Sequence, residues 1–324
     1  MLKIFYLPLG VVRFFVLNST RVNLMPAQIH LPSPLKAGDT IGVCAPSGAF
    51  DPSLLEAGIA QLRRMGFFVH LPPGLNEVSG YLAGHDRHRA ALVNDLFKST
   101  EIKAVLCARG GFGALRVLPY LDFTLLQNSP KFLIGFSDIT AILSEGLGQC
   151  TSPMIHGPVI TSLAGASTRT LESLFQIMTE PFSQIVIKGS QTLSKGSASG
   201  VLKGGNLATL VSMVGTVFEP NFKGSILFLE DTAEPAYKID RMLTQLRLSG
   251  ILTGVKGVVL GSFDRCGDIS DIHGIVAEVF NNCPVPILAG VDAGHGEPNL
   301  CIPLGSRAIL DADGQTLGVR IGDN

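Results

Sequence analysis

Several features that commonly carry function are missing from this sequence of 324 residues. Lysine and arginine number 25 against 26 aspartates and glutamates, so there is no basic excess of the kind that neutralises nucleic-acid phosphates. None of the six cysteines forms a C-x-x-C pair or a zinc-like spacing, and neither G-x-G-x-x-G nor G-x-x-x-x-G-K-[ST] occurs. The sequence therefore predicts no nucleic-acid partner, no metal and no cofactor. Tryptophan is absent and histidine occurs only seven times, so imidazole chemistry has few candidates.

Apolar residues and glycine are abundant. Hydrophobic residues make up 46% of the chain and charged residues 16%, which is typical of a protein with a large buried core. The length favours two domains. The 37 glycines indicate tight turns or close backbone approaches. Most cysteines lie in apolar runs such as IGVCAP and AVLCAR, which favours buried reduced thiols and a cytoplasmic location.

The first 24 residues form an apolar stretch that differs from the rest of the chain. Lys3 near its start is typical of a signal peptide or an anchor. Pro8 and Arg13 interrupt the stretch, however, and leave it short of the roughly 20 apolar residues that span a bilayer. We therefore predict that residues 1–30 are a leader outside the fold and that the protein has no membrane partner. A degenerate targeting segment is the alternative.

The remainder of the chain alternates strand and helix signals. In the first half, apolar runs such as DTIGVC, KAVLC and KFLIG end in sharp turns and precede helical periodicity, which is typical of βαβ units and a parallel sheet. In the second half, short strands and a hairpin around Asp313-Gly314 indicate more antiparallel pairing. We predict an α/β protein with an N-terminal α/β domain over 31–165, a linker over 166–195 and a smaller C-terminal domain over 196–324.

Ser137 lies where the apolar strand KFLIG turns directly into a helix. Gly135 precedes it by two residues, as in a nucleophile elbow, although Ile139 stands in place of the second elbow glycine. Such a turn lifts a hydroxyl out of the sheet and leaves backbone N–H groups at a helix N-terminus, beside developing negative charge. The alternative is that Ser137 caps the helix while Asp138 complements its dipole.

A second turn, CARGGFGALR, follows another apolar strand. Its glycines, Gly110, Gly111 and Gly113, can bring bare backbone N–H groups beside a substrate oxyanion. A phosphate-cradling turn and a plain tight turn are the alternatives. Arg109, just before these glycines, is a candidate either for binding a substrate carboxylate or for a structural ion pair.

Three further segments carry candidate polar residues. Glu230 and Asp231 end the apolar strand ILFLE, a position that often projects side chains into a cleft, although solvated strand ends also fit this pattern. His295 lies in the glycine-flanked loop AGHGEP, and loops on a rigid scaffold often carry function. Asn206 begins a helix after GG, where N-capping is its simplest role. An elbow serine, a strand-end acid and a loop histidine are the parts of a Ser–His–acid triad.

The order of short motifs along the chain resembles the LD-carboxypeptidase (muramoyltetrapeptide carboxypeptidase) family of serine peptidases. The resemblance covers nearly the whole chain after residue 35, and it is carried by the motifs APSG, YLAGHDRHRAALVNDLF, ARGGFGALRVLPYLD, IGFSDITAI, HGP, GGNL, LFLED, IDRMLTQL, GSF and GHGEPNLCIPLG. It implies a Rossmann-like parallel-sheet N-terminal domain joined to a smaller swivelling β/β/α C-terminal domain.

The resemblance also implies roles for individual residues. Ser137 is implied as the nucleophile, His295 as the general base and Glu230 as the acid that orients the histidine. The backbone N–H groups of Gly111 and Asp138 are implied as the oxyanion hole. Because the nucleophile and its partners then come from different domains, domain docking would assemble the site.

The implied reaction is hydrolysis of the L,D amide that releases C-terminal D-Ala from a murein tetrapeptide, by a cytoplasmic homodimer without a cofactor, during cell-wall recycling. Arg109, Asn206 and Lys203 are the candidates for contacting this peptide substrate. A related branch of the family cleaves peptide–nucleotide antibiotics and gives self-immunity, with tryptophans that stack on the base. The absence of tryptophan favours the murein substrate. A non-catalytic two-domain protein that closes on a muropeptide or sugar is an alternative from another class.

Overall fold

The structure is a computed structural model that describes residues 32–150, 152, 154–180 and 184–320. The predicted leader, residues 1–30, lies outside these ranges. Within them the longest helices have 13 residues, and no helix combines the length and the hydropathy needed to cross a membrane.

Strands and helices alternate along most of the described chain. The strands are β1 Thr40–Cys44, β2 Phe68–His70, β3 Ile102–Cys107, β4 Phe132–Gly135, β5 Met154–His156, β6 Ile185–Lys188, β7 Gln191–Ser194, β8 Ser197–Asn206, β9 Ser225–Thr232, β10 Gly257–Asp264, β11 Ile287–Ala289, β12 Ile302–Leu304, β13 Arg307–Asp311 and β14 Thr316–Arg320. The helices are α1 Pro52–Arg64, α2 Asp86–Lys98, α3 Ala114–Val117, α4 Thr124–Asn128, α5 Thr140–Gln149, α6 Thr168–Thr179, α7 Leu207–Met213, α8 Ala236–Leu248 and α9 Ile269–Val279. Short 3-10 turns cover Leu118–Tyr120, Ser137–Ile139 and Ile160–Gly165.

A six-stranded sheet has the order β12-β5-β4-β3-β1-β2, and its five strands from the first half of the chain run parallel. The central strands β3 and β4 are buried along nearly their whole length, as expected when helices cover both faces of a parallel sheet. The predicted parallel-sheet N-terminal part is thereby confirmed. Ligands of such sheets bind beyond the carboxyl ends of the strands, and both the glycine turn after β3 and Ser137 after β4 lie at these ends.

An eight-stranded sheet has the order β6-β14-β13-β8-β9-β10-β11-β7. Its centre, from β8 to β11, is parallel, and the remaining pairs are antiparallel, including the predicted hairpin of β13 and β14. The apolar faces of α7, α8 and α9 pack together with β9 and β10 in one buried cluster. The predicted second, mixed sheet is therefore present.

The segment 166–195, predicted as a linker, holds a helix and two strands in its described parts, 166–180 and 184–195. Helix α6 buries Leu174, Ile177 and Met178 in the core beside the six-stranded sheet. Strands β6 and β7 form the two edges of the eight-stranded sheet. Each of these edge strands has only four residues and lies in a Ser- and Gly-rich segment. Such short strands show little alternation of apolar and polar residues, so the sequence pattern resembles that of a linker.

The two halves of the chain are joined by a strand of the second half, β12, that completes the sheet of the first half. β12 follows β11 in the chain, yet it pairs antiparallel with β5 at the edge of the six-stranded sheet. At the end of β8, the backbone N–H of Asn206 donates to Thr140 Oγ1 at the start of α5, over 3.0 Å. The carboxyl ends of β4, β5 and β9 meet at one junction between the two sheets, since the His156 ring at the end of β5 lies beside the ring of Phe136 and close to Glu230 on β9.

Candidate active site

Ser137 lies in a strained turn between β4 and α5. Its φ is +63°, in the left-handed region that residues other than glycine rarely adopt. Phe136 occupies the cap position of the following 3-10 turn, so the structure does not support Ser137 as the helix cap. A Cβ on Gly135 would lie 2.9 Å from Ile139 Cγ2, which explains why a glycine precedes the turn. The sharp strand-to-helix turn expected from the sequence is therefore present.

The glycine turn after β3 packs directly against this elbow. A Cβ on Gly110 would lie 2.8 Å from Ser137 Cβ, so only a glycine allows the two turns to approach this closely. Gly111, the next residue, has a φ of +105° and is exposed. Gly111 and Asp138, the two residues predicted as oxyanion donors, are thus carried by two turns in contact.

The side chain of Asp138 ties the two turns together. Its Oδ2 accepts the backbone N–H of Ala114, at the start of α3, over 2.7 Å and the hydroxyl of Ser47 over 2.5 Å. The carboxyl group is buried, and this burial raises its pKa despite the two hydrogen bonds. Asp138 is therefore a structural acceptor through its side chain. Its backbone N–H lies in the first turn of a helix, where N–H groups have no partner within the helix.

His295 is held against Glu230 by two contacts. Glu230 Oε2 lies 2.6 Å from His295 Nδ1 and accepts the backbone N–H of the same residue over 3.1 Å. Glu230 is fully buried on β9; burial raises the pKa of its carboxyl, but the neighbouring imidazoles of His156 and His295 outweigh this and lower it to about 2. The carboxylate is ionised at neutral pH and can only accept hydrogen bonds. The proton of a neutral His295 therefore lies on Nδ1, which leaves Nε2 as the basic nitrogen.

The loop that carries His295 is shaped by its neighbouring glycine. Asn299 Oδ1 accepts the backbone N–H of Gly294 over 2.9 Å. A Cβ on Gly294 would lie 2.5 Å from Glu230 Oε2, so a glycine is needed for the loop to approach the carboxylate. The glycine before the histidine is thus required sterically, a reason that becomes visible only in the structure.

Phe136 brings the serine elbow and the histidine loop together. Its ring centroid lies 4.7 Å from that of His295, and Ser137 follows it directly in the chain. Thr209 Oγ1, on α7 of the other half, donates to the Ser137 carbonyl over 3.5 Å. Within the described residues the His295 imidazole is bonded to Glu230 and not to the Ser137 hydroxyl. In enzymes without substrate such catalytic hydrogen bonds are often long and tighten on binding.

The two candidate cations lie in different surroundings. Arg109 is exposed beside the glycine turn, and its guanidinium donates to the Ala49 carbonyl. Lys203 Nζ donates to the Asn221 carbonyl over 2.8 Å, and burial lowers its pKa. Arg109 is thus the cation that flanks the elbow on the exposed side.

Asn206 and Asp231 form a buried polar pair next to Glu230. Asn206 Nδ2 donates to Asp231 Oδ1 over 3.0 Å, and its Oδ1 accepts the N–H of Thr209 over 3.0 Å, which caps α7. Burial, together with the charge of Glu230, raises the pKa of Asp231 to about 6. Both polar groups of the Asn206 side chain are therefore engaged within the protein, as its N-capping interpretation requires.

His156 lies beside the triad residues, and no pattern in the sequence reveals it. It ends β5, is fully buried, and its Nε2 lies 3.6 Å from Glu230 Oε1. Only the HGP motif included it. A lone histidine at the end of an apolar strand carries no local pattern that distinguishes a site residue from a core residue.

The arrangement as a whole suits acyl transfer. It combines a hydroxyl on a strained turn, an imidazole oriented by a buried carboxylate, and a glycine turn that packs against the serine. In the part of the chain that the structure describes, no group of three or more His, Cys, Asp or Glu side chains is arranged to hold a metal ion.

Both halves of the chain match domains of one known family. The LD-carboxypeptidase N-terminal domain matches residues 41–157, and the LD-carboxypeptidase C-terminal domain matches residues 199–310. The chain belongs to the LD-carboxypeptidase family. In this LD-carboxypeptidase the first matched range holds the Ser137 elbow, and the second holds the Glu230–His295 pair.

Three similar proteins show the range of this family. The protein named "Probable murein peptide carboxypeptidase" of Bacillus subtilis is 35% identical over 90% of this chain and 95% of its own. The crystal structure of muramoyltetrapeptide carboxypeptidase from Oxalobacter formigenes, 30% identical, covers 88% of this chain and 99% of its own with a TM-score of 0.79. The microcin C7 self-immunity protein MccF of Escherichia coli is 27% identical over 91% of this chain and 97% of its own. The predicted two-domain fold is thereby confirmed.

Proposed function

We propose that this LD-carboxypeptidase is a serine peptidase that hydrolyses the L,D amide bond releasing C-terminal D-Ala from murein tetrapeptides. The observation that carries the proposal is the 2.6 Å contact of Glu230 Oε2 with His295 Nδ1, beside a serine elbow whose φ is +63°. The relatives named for murein peptide and muramoyltetrapeptide substrates share more sequence identity with this chain, 35% and 30%, than MccF does at 27%.

The first half of the proposed reaction acylates Ser137. His295 Nε2 takes the hydroxyl proton while Oγ attacks the carbonyl carbon of the scissile amide. As the new C–O bond forms, the carbonyl electrons move onto oxygen, where the backbone N–H groups of Gly111 and Asp138 stabilise the charge. The imidazolium then gives its proton to the amine of D-Ala as the C–N bond breaks. The shortened peptide is left as an ester on Ser137.

The second half of the reaction uses the same groups on water. His295 Nε2 takes a proton from a water molecule, the oxygen attacks the ester carbon, and the same N–H groups stabilise the second oxyanion. The imidazolium returns a proton to Ser137 Oγ as the ester bond breaks. Glu230 stays ionised throughout and stabilises the imidazolium, since its pKa of about 2 lies far below neutrality.

Arg109 is the residue that we propose for the terminal carboxylate of the substrate. Arg109 is exposed and directly precedes the glycine turn that carries Gly111, a proposed oxyanion donor. A planar guanidinium matches the two oxygens of a carboxylate. Asn206, whose polar groups are engaged by Asp231 and Thr209, is assigned a supporting role behind the site.

The proposal extends to location and assembly. A cytoplasmic role in recycling cell-wall peptides is supported by the six cysteines, which all lie as free thiols. Cys44 and Cys107 even lie with their sulfur atoms 3.7 Å apart without a disulfide. A homodimer is proposed on the family resemblance. Sedimentation velocity tests it: a species of two chains supports the dimer, and a species of one chain contradicts it.

A panel of murein peptides tests the proposed activity. Tri-, tetra- and pentapeptides, each with lysine or diaminopimelate at the third position, are incubated with the protein and the products are weighed by mass spectrometry. We expect the tetrapeptides to lose one alanine and the tripeptides and pentapeptides to remain intact. The rate with a chelator should equal the rate without it, because the Ser137 hydroxyl supplies the nucleophile.

Two other outcomes of this panel would assign a different function. Cleavage of a peptide–nucleotide conjugate, with tetrapeptides left intact, would indicate the self-immunity branch. Binding of tetrapeptide measured by calorimetry, with no product by mass, would indicate a binding protein.

A further inference from the structure

His156 is a buried histidine whose polar atoms have no hydrogen-bond partner. It pairs with Gly135 of β4 on one side and with Ile302 of β12 on the other, and its side chain is fully buried. Within the described residues neither Nδ1 nor Nε2 has a hydrogen-bond partner. A buried donor without a partner costs about 1–3 kcal/mol, so such an arrangement calls for an explanation.

The immediate neighbours of His156 are two phenylalanines and one carboxylate. The rings of Phe136 and Phe228 meet the imidazole edge-on, with centroids 6.0 and 5.0 Å away. Nε2 faces Glu230 Oε1 at 3.6 Å, and that oxygen also lacks a hydrogen-bond partner. The other carboxylate oxygen, Oε2, is the one bound by His295. The carboxylate is thus flanked by two imidazoles, one at each oxygen.

The protonation of His156 follows from its neighbours. An ionised carboxylate has no proton to donate, so the ring nitrogen that faces Oε1 must carry one. In the described part of the chain Nδ1 has no hydrogen-bond partner, so an N–H there would be left unsatisfied. The arrangement therefore places a proton on Nε2, the nitrogen that faces Glu230 Oε1.

We propose that His156 is a positioning residue for the catalytic carboxylate, whose Nε2–H fixes Oε1 of Glu230 so that Oε2 points at His295 Nδ1. The inference rests on the proposed function, since it concerns the same triad. Closing the gap from 3.6 Å to an ordinary N–H···O distance takes a shift of roughly 0.6 Å. Without this N–H, Oε1 of the buried carboxylate has no hydrogen-bond donor facing it among the described residues, and the hydrogen bonds that orient Glu230 there are those from His295 to Oε2.

Two substitutions of His156 separate the N–H from the shape of the ring. His156→Phe keeps a planar ring among the phenylalanines but removes the donor. His156→Gln keeps a donor, because the amide nitrogen extends from Cβ to about the reach of imidazole Nε2. We expect kcat for D-Ala release to fall about 10- to 100-fold in the Phe variant with little change in KM, and to stay within about threefold in the Gln variant.

The chemical shift of the His295 Nδ1 proton distinguishes a positioning role of His156 from a merely structural one, which would leave this shift unchanged. In uniformly ¹⁵N-labelled protein this proton is expected downfield because it is bound to a carboxylate over 2.6 Å. We expect its resonance to shift or broaden in His156→Phe and to remain near its wild-type position in His156→Gln. His295→Ala assigns the resonance by removing it.

Several results would overturn the inference. A Phe variant with wild-type kcat and an unmoved resonance would do so, as would a Gln variant that loses as much kcat as the Phe variant at an equal melting temperature. If the Phe variant does not fold, His156→Asn, whose amide is one methylene shorter than that of Gln, replaces it with the same expectations. Because the resonance is observed without turnover, failure of the wild type to release D-Ala would contradict the proposed function and leave the positioning test intact.

Discussion

At the scale of single residues, the adjacent carboxylates Glu230 and Asp231 have opposite electrostatic surroundings. Both are buried on β9, where successive side chains point to opposite faces of the strand. Against the raising effect of burial, two imidazoles lower the pKa of Glu230 to about 2. Asp231 faces only neutral donors, and its burial raises its pKa to about 6. The two residues therefore make opposite contributions to the pH dependence of stability.

Glu230→Gln should lower the free energy of unfolding at neutral pH and weaken its decline in acid. The folded-state pKa of about 2 lies below the ordinary value of 4.5, so the carboxylate stabilises the fold above pH 4.5. This contribution, about 3 kcal/mol, is lost as the pH falls towards 2. Urea unfolding at a series of pH values measures the slope. An unchanged slope below pH 4.5 in the variant would contradict the proposed surroundings of Glu230.

Asp231→Asn is the matched control with the opposite sign. The folded-state pKa of about 6 lies above the ordinary value of 3.8, so the wild type loses stability as the pH rises through that window. The Asn variant should lack this loss and keep the acid limb caused by Glu230. Identical pH profiles for the two variants would show that the two carboxylates are not distinguished in this way.

At the scale of elements, two glycines at the end of β8 allow this strand to approach its neighbours closely. Gly204 and Gly205 lie within the strand, at φ values of +132° and +138° that residues other than glycine rarely adopt. A Cβ on Gly204 would lie 1.9 Å from the Phe228 carbonyl oxygen of β9, and one on Gly205 would lie 2.6 Å from Thr140 Oγ1. The glycines therefore allow β8 to press against both β9 and the start of α5.

Gly204→Ala is expected to be far more destabilising than Gly215→Ala. Gly215 also has a positive φ, +79°, but a Cβ there would meet nothing within 4 Å, so its substitution should cost only about 1–2 kcal/mol of backbone strain. At Gly204 the added carbon collides with backbone, and we expect a loss above about 4 kcal/mol or failure to fold. Chemical denaturation measures both. Equal losses in the two variants would contradict the close approach of β8 to β9.

Elements with a clear local sequence pattern could be predicted, whereas pairing between strands that are far apart in the sequence could not. The apolar runs of β3 and β4 and the capped, periodic α1 carry their signals locally. The segment after the glycine turn forms only a short helix, because α3 ends at Val117 and a 3-10 turn follows around Pro119. β12 has three residues, and its partner β5 lies more than a third of the chain away, so no local pattern specifies the pairing.

The candidate site divides in the same way. Ser137, Glu230 and His295 stand at strand ends or in a glycine loop, within motifs that the sequence displays. The contact between Glu230 and His295, and the placement of His156 beside them, depend on how the two sheets meet. Tertiary packing decides these distances, and neither composition nor periodicity contains them.

At the scale of the whole molecule, strand β12 couples the stability of the two halves of the chain. β12 comes from the second half of the chain but completes the edge of the six-stranded sheet, and Ile302 within it is fully buried. The elbow carrying Ser137 belongs to one half, and Glu230 and His295 belong to the other. Assembly of the site is therefore coupled to the folding of both halves.

We expect calorimetry to show a single unfolding transition whose van't Hoff and calorimetric enthalpies agree. Ile302→Ala should destabilise this whole transition by about 2–5 kcal/mol. Ile309→Ala, at a position that is 62% exposed on β13, is the control and should change it little. Two resolved transitions, of which Ile302→Ala affects only one, would contradict the mutual dependence of the halves.

The most direct test of the central claim is the rate of D-Ala release from a murein tetrapeptide by Ser137→Ala. Removing the nucleophile of a serine triad costs several orders of magnitude, so we expect kcat to fall at least about 10³-fold while circular dichroism and melting temperature stay as in the wild type. Ser212→Ala, an exposed serine on α7, serves as the control and should retain full activity. A folded Ser137→Ala variant that releases D-Ala within tenfold of the wild-type rate would contradict the account.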